Sequence, residues 1–227
     1  MSGKWIKVRS SEGGDFDCYL NVPEIGRQVP AVVLACAVHG VDADIIAIAD
    51  EFAAHDVIAA APDLFWRTVP GPVSHDDGRA QQRSQPRLEK IKQGEADMAD
   101  TLARLGELPQ FNGSAVAMGF CYGGPYAILG PKRLGYAAGI SCHGTQMLDY
   151  LHEVEDVREP VCILWGDRGP PRSGRRVERL SRPGSKKEQC GVAYLSGRAA
   201  RLHDAGNAQG LRRAGARVFH DARKGDR

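Results

Sequence analysis

The sequence predicts an α/β fold, a mostly parallel sheet flanked by helices. Three observations carry that prediction. Short continuous apolar runs, AVVLACA at 31–37, VIAAA at 57–61, AVAMGF at 115–120, AAGISC at 137–142 and PVCILWG at 160–166, have the length and character of strands buried on both faces. Stretches with apolar residues at helical spacing separate several of them, so right-handed βαβ units and a parallel sheet are expected. The third observation is the start of the chain, where WIKV and DFDCYL flank Gly13-Gly14. Two such runs around a glycine pair suit an antiparallel hairpin at the sheet edge.

Taken in order, the elements have local reasons. Asp42 or Asp44 can cap a helix whose Ile45, Ile48, Ala49 and Phe52 recur at helical spacing. The run 57–61 ends at Pro62-Asp63. Residues 66–87, with Pro70, Gly71, Pro72 and Asp76-Asp77-Gly78, predict a long loop. Helical periodicity resumes near Leu88 and continues through Ile91, Met98, Leu102 and Leu105. After Asp167 no period persists for long, and that C-terminal part of the fold is expected to be aberrant. The division is therefore a core at 1–167 and a basic tail at 168–227.

Composition narrows the class. A chain of 227 residues with 42% hydrophobic content can bury the core of one ordinary domain. Its longest apolar run, Ala31 to Val38, is too short to span a bilayer. The start, MSGKWIKVRSSEGG, has no apolar stretch behind its charges, which argues against a signal peptide. Six cysteines at 18, 36, 121, 142, 162 and 190, without a C-x-x-C pair, suit reduced thiols in the cytoplasm rather than a disulfide framework or a zinc site. No metal or cofactor motif is present, and no membrane partner is implied.

One segment carries chemistry. Gly119-Phe120-Cys121-Tyr122-Gly123-Gly124 follows a buried run and opens a segment, PYAIL, that can be helical. This is the spacing of the nucleophile elbow, G-x-S-x-G, with cysteine in place of serine. The turn brings backbones close enough to demand glycine on both sides, and a helix N-terminus behind it favours thiolate and offers N–H groups to an oxyanion. The competing reading of Cys121 is a buried small hydrophobe, the common fate of a free cysteine.

GFCYGG, together with AVHGVDADI, AAAPDLFWRTVPG and ILWGD, resembles the dienelactone hydrolase family in order and spacing over about residues 5–168. The resemblance implies an α/β-hydrolase fold and hydrolysis of small-molecule carboxyl esters or lactones by a Cys-Asp-His triad without metal. It implies Cys121 as nucleophile, the backbone N–H groups of Val38 and Tyr122 as oxyanion hole, and Arg83, in QQRSQ, as the residue holding a substrate carboxylate. For Arg83 a solvated loop charge is the equal alternative. The chain departs from the family at three points. Ala37 stands where the family has a glutamate that helps control the thiol. Gly169 stands where the triad acid belongs, with Asp167 two residues early. The histidine segment, P-G-V-x-H-G-Y-like, is absent, and only His203 and His220 lie beyond the turn, in other surroundings.

Residues 168–227 hold 16 Lys+Arg against 5 Asp+Glu, whereas residues 1–167 hold 14 against 23. A basic arm for nucleic acid is one explanation, and a frameshift is the better one. Residues 196–207, SGRAARLHDAGN, can be encoded so that dropping one base yields PGVQHGYMMPG, the missing histidine segment. Arg, Gly, Ala and Pro are what a GC-rich gene gives out of frame. On this reading nucleic acid is not a partner and His203 is a by-product. The expected function is a dienelactone hydrolase-like ester or lactone hydrolase; the alternatives are a catalytically dead copy or non-enzymatic scaffold, and nucleic-acid binding through the tail.

Overall fold

The computed structural model describes residues 3–150, 152–166 and 190–195. Among the described residues, eight strands form one sheet in the order β1-β2-β4-β3-β5-β6-β7-β8. The glycine-marked hairpin is present: β1 (Lys4–Arg9) and β2 (Asp15–Asn21) pair antiparallel, with Gly13 and Gly14 both at positive φ in the turn. β2 continues antiparallel to β4 (Ile58–Pro62). From there the sheet is parallel: β4 on β3 (Val29–Ala35), β3 on β5 (Phe111–Phe120), β5 on β6 (Ala138–Cys142), and β6 on β7 (Val161–Gly166). β3, β4 and β6 are buried at nearly every position, which is why they read as unbroken apolar runs rather than alternating ones.

α1 (Ala43–Ala54) starts at Asp42, whose side chain accepts from the Ile45 N–H at 3.1 Å. It buries Ile45 and Ala49 against the sheet, with Ile48 and Phe52 partly covered. The 66–87 loop contains one short helix, α2 (Arg79–Gln82). α3 (Arg87–Gly106) buries Ile91, Met98 and Leu105, but Leu88 is 68% exposed and does not belong to the apolar stripe as the periodicity suggested. α4 (Tyr126–Arg133) is buried continuously from Tyr126 to Pro131. From β3 the chain moves one way across the sheet to β4, and from β4 the other way to β5 and β6. Right-handed crossovers therefore put α1 on one face and α3 and α4 on the other.

A polar tie anchors α3. Asp97 is fully buried and accepts from Trp66 Nε1 at 3.2 Å and from Arg67 Nη1 at 2.7 Å. Arg67 reaches on to Glu12 in the hairpin. Burial pushes the Asp97 carboxyl up to about 6, against the pull of Arg67 and Trp66.

Beyond Asp167, where no period persists for long in the sequence, the described residues include one strand. β8 (Cys190–Leu195) pairs parallel with β7 over its whole length, from Val161 opposite Cys190 to Gly166 opposite Leu195. CGVAYL is a short apolar run with β-branched and aromatic residues, enough for an edge strand and too short to stand out amid arginine and glycine. The rest of the tail, with Asp167, Gly169 and His203, lies outside the described residues.

Candidate active site

In the parallel register Ala35 lies beside Gly119 and Gly119 beside Ser141. The chain therefore leaves β3, β5 and β6 side by side at one end of the sheet. Three connections meet there: the loop Cys36–Gly40, the turn at Cys121, and the loop after Cys142. Strand order reverses between β3 and β5, and open parallel sheets bind ligands in the crevice at such a point.

Cys121 stands at the strand-to-helix turn. Its φ is +48°, left-handed and unfavourable for a side chain with a Cβ. The flanking glycines are needed for space. A Cβ on Gly119 would collide with the carbonyl oxygen of Gly123, and one on Gly123 with that of Ala35. Neither obstacle is a movable side chain, so the backbone approach that makes the turn depends on glycine at both positions. α4 begins at Tyr126, within the expected PYAIL segment, and a single 3₁₀ turn, Cys121–Gly123, lies between it and β5. The Tyr122 amide of this turn favours the Cys121 thiolate.

Electrostatics separate Cys121 from the other thiols. Burial pushes Cys18 and Cys36 up to about 12 and raises Cys142 further, as for inert core residues. Burial also raises Cys121, but three groups oppose it: the Tyr122 amide, the Arg87 charge and the Thr145 hydroxyl. Half-buried Cys162 has burial alone. A core-hydrophobe reading fits Cys18, Cys36 and Cys142; Cys121 is less completely buried, and donors oppose the effect of its burial.

Val38 follows β3 and is nearly buried, and its carbonyl accepts from Arg83 Nε at 2.9 Å. Arg83 is only 2% exposed. Its Nη1 donates to the carbonyls of Val69 at 2.8 Å and Gly71 at 2.7 Å, and the guanidinium lies 4.2 Å over the Phe65 ring. The solvated-charge reading of Arg83 is therefore corrected. This arginine braces the Val38 loop from within, and Nη2 alone of its nitrogens has no hydrogen-bond partner among the described residues. The 66–87 segment adds a second brace where His75 stacks on His39 at 4.1 Å. Ala37, in the family's glutamate position, is nearly buried and offers no charge to the thiol.

Sequence reasoning missed Arg87 and Thr145. Arg87 Nη2 donates to the carbonyls of Tyr122 at 3.0 Å and Thr145 at 3.1 Å. Thr145 is 24 positions from Cys121 on a different loop, so only the sheet register brings them together. No cluster of His, Cys, Asp and Glu among the described residues could hold a metal ion, and no helix among them is long and apolar enough to cross a membrane.

Comparison with known proteins places this arrangement. A sequence model of the dienelactone hydrolase family matches residues 16–189. Carboxymethylenebutenolidase of Pseudomonas sp. (strain P51) is 29% identical over 131 residues, 56% of this chain and 54% of that protein; the alignment thus spans about half of that relative. The Pseudomonas putida enzyme of the same name is 24% identical over 169 residues, covering 73% of this chain and 71% of its own. Among solved structures, a dienelactone hydrolase described as putative from Klebsiella pneumoniae superposes with a TM-score of 0.76 at 19% identity, covering 96% of this chain and 98% of its own. One from Anabaena variabilis gives 0.72 at 12% identity, covering 97% and 99%. Strand order, the glycine-flanked cysteine turn and the family match agree: the chain belongs to the dienelactone hydrolase family, with the α/β-hydrolase fold.

Proposed function

We propose that the chain is built as a hydrolase of small carboxyl esters or lactones, with Cys121 as nucleophile. The observation that carries this reading is Cys121 at positive φ on a glycine-flanked turn, half-buried and ringed by donors. Strain of about 1–3 kcal/mol at one residue is kept in a fold chiefly where function uses it. The lactone-hydrolase names of the sequence relatives support the substrate class.

The chemistry follows from the positions. The Cys121 thiolate attacks the carbonyl carbon, and charge moves to the carbonyl oxygen. The N–H groups of Val38 and Tyr122 take that oxyanion. Collapse expels the alcohol or enolate and leaves a thioester, which water hydrolyses. Arg83 keeps the Val38 loop in place, and only Nη2 remains to meet a substrate carboxylate. The base and acid would come from beyond β7, where Asp167 and His203 are the available residue types without the family's surroundings. We read 168–227 as an out-of-frame tail, which removes both and makes this copy a weak or dead catalyst. Reduced thiols suit a cytoplasmic setting.

Turnover of an activated ester or a dienelactone tests the reading, comparing this chain, the chain with the neighbouring frame restored, and Cys121→Ala in the restored chain. Hydrolysis should appear on restoration and vanish with Cys121. Hydrolysis that survives Cys121→Ala would remove the nucleophile assignment.

A further inference from the structure

Cys121 holds an unfavourable backbone conformation, so something outside the turn must keep it there. Two residues form a closed ring of contacts around it. Thr145 donates to the Cys121 carbonyl from its backbone N–H at 2.8 Å and from Oγ1 at 3.2 Å. Arg87, from the first turn of α3, ties the carbonyls of Thr145 and Tyr122 with one nitrogen and lays its guanidinium 4.6 Å from the centre of the Tyr122 ring. Its Nε is buried with no hydrogen-bond partner, and it forms no ion pair among the described residues. A half-buried arginine without a carboxylate keeps its field directed at its neighbours.

We propose that Arg87 is the positioning residue of the nucleophile, clamping the carbonyls of Tyr122 and Thr145 around Cys121 and setting its positive charge near the sulfur. The proposal rests on the reading of Cys121 as nucleophile. Arg87 is the charge that draws the thiol downward, alongside the Tyr122 amide of the turn and the Thr145 hydroxyl of the loop after β6. Two consequences follow. Thiolate forms at lower pH than burial alone would allow, and an anionic electrophile is favoured over a neutral one of the same shape.

Iodoacetate and iodoacetamide separate these effects in the full chain without requiring turnover. In each, the thiol first loses its proton to solvent; the thiolate then forms the S–C bond as the C–I bond breaks and iodide leaves. Rates at Cys121, read by peptide mass mapping, are followed against pH. Arg87→Gln should raise the midpoint of the pH profile and lower the iodoacetate-to-iodoacetamide rate ratio by roughly threefold to tenfold, the size of one charge near a surface. Arg87→Lys, which keeps the charge and loses the planar fork, should hold the ratio near the parent value. A merely structural arginine would slow both reagents together and leave the ratio unchanged. Unchanged ratio and midpoint in Arg87→Gln would overturn the proposal. Should that variant fail to fold, salt decides in the parent chain: added salt must weaken the preference for iodoacetate, and an unaltered preference overturns it equally. Ester turnover in Cys121→Ala judges the nucleophile reading separately, so either can fail alone.

Discussion

The backbone N–H and hydroxyl of Thr145 both donate to the carbonyl of Cys121, at 2.8 and 3.2 Å, binding the loop after β6 to the turn after β5. Thr145→Ala keeps the first bond and removes the second. It should cost about 0.5–1.5 kcal/mol in urea unfolding and slow alkylation of Cys121, because the hydroxyl also favours its thiolate. Alkylation at the parent rate would show that the hydroxyl does not serve the sulfur.

Gly119→Ala should destabilise by at least about 1–3 kcal/mol, since the new Cβ meets the Gly123 carbonyl. Gly26→Ala is the control, with nothing near its Cβ position and no positive φ. Denaturant midpoints of the two variants check this. Equal midpoints would mean that the turn relaxes without cost.

Arg83→Met removes donors to three carbonyls while keeping most of the side-chain volume. The buried Val38 carbonyl left without its partner costs about 1–3 kcal/mol, and the part-buried carbonyls of Val69 and Gly71 add to it, so thermal unfolding should shift down. An arginine serving only a substrate carboxylate would leave the melting temperature unmoved and change substrate binding alone.

Asp97 gives a pH signature. Its folded carboxyl titrates at about 6, above the ordinary 3.8. The folded chain thus binds this proton more tightly than the unfolded chain. Its contribution is complete below the unfolded value and is lost as pH rises through about 6. Stability of the parent relative to Asp97→Asn should therefore fall by up to about 3 kcal/mol from acid to neutral pH. Urea titrations of both across that window check it, and a difference that grows with pH would contradict the assigned direction.

The tail makes the last prediction. If the frame is lost near Arg168, the nucleotide sequence around codons 166–172 should differ from intact relatives by an insertion or deletion that is not a multiple of three. The chain itself should turn over esters at a small fraction of the restored protein's rate, since loss of a triad member typically removes several powers of ten. Cys121-dependent turnover at the restored rate would defeat the dead-copy reading.

The sequence by itself determined the strands up to β7, the hairpin, the α1 cap and the cysteine turn, because each is written in adjacent residues. Runs such as 115–120 and 137–142 are apolar throughout since both sheet faces are covered, and Gly119 and Gly123 flank Cys121 since two backbones meet there. β8 escaped notice because six residues at an edge carry too little pattern. Only the tertiary structure decided what surrounds the sulfur. Arg83 was legible as an arginine near the site, yet its direction depends on the carbonyls of Val38, Val69 and Gly71, which no local pattern specifies. Arg87 and Thr145 were not legible at all: the packing of α3 brings the first to the Tyr122 carbonyl, and the β5–β6 register brings the second to Cys121. Contacts made across strand ends leave no period in the chain, so the cysteine turn could be read from its neighbours in sequence but its environment could not.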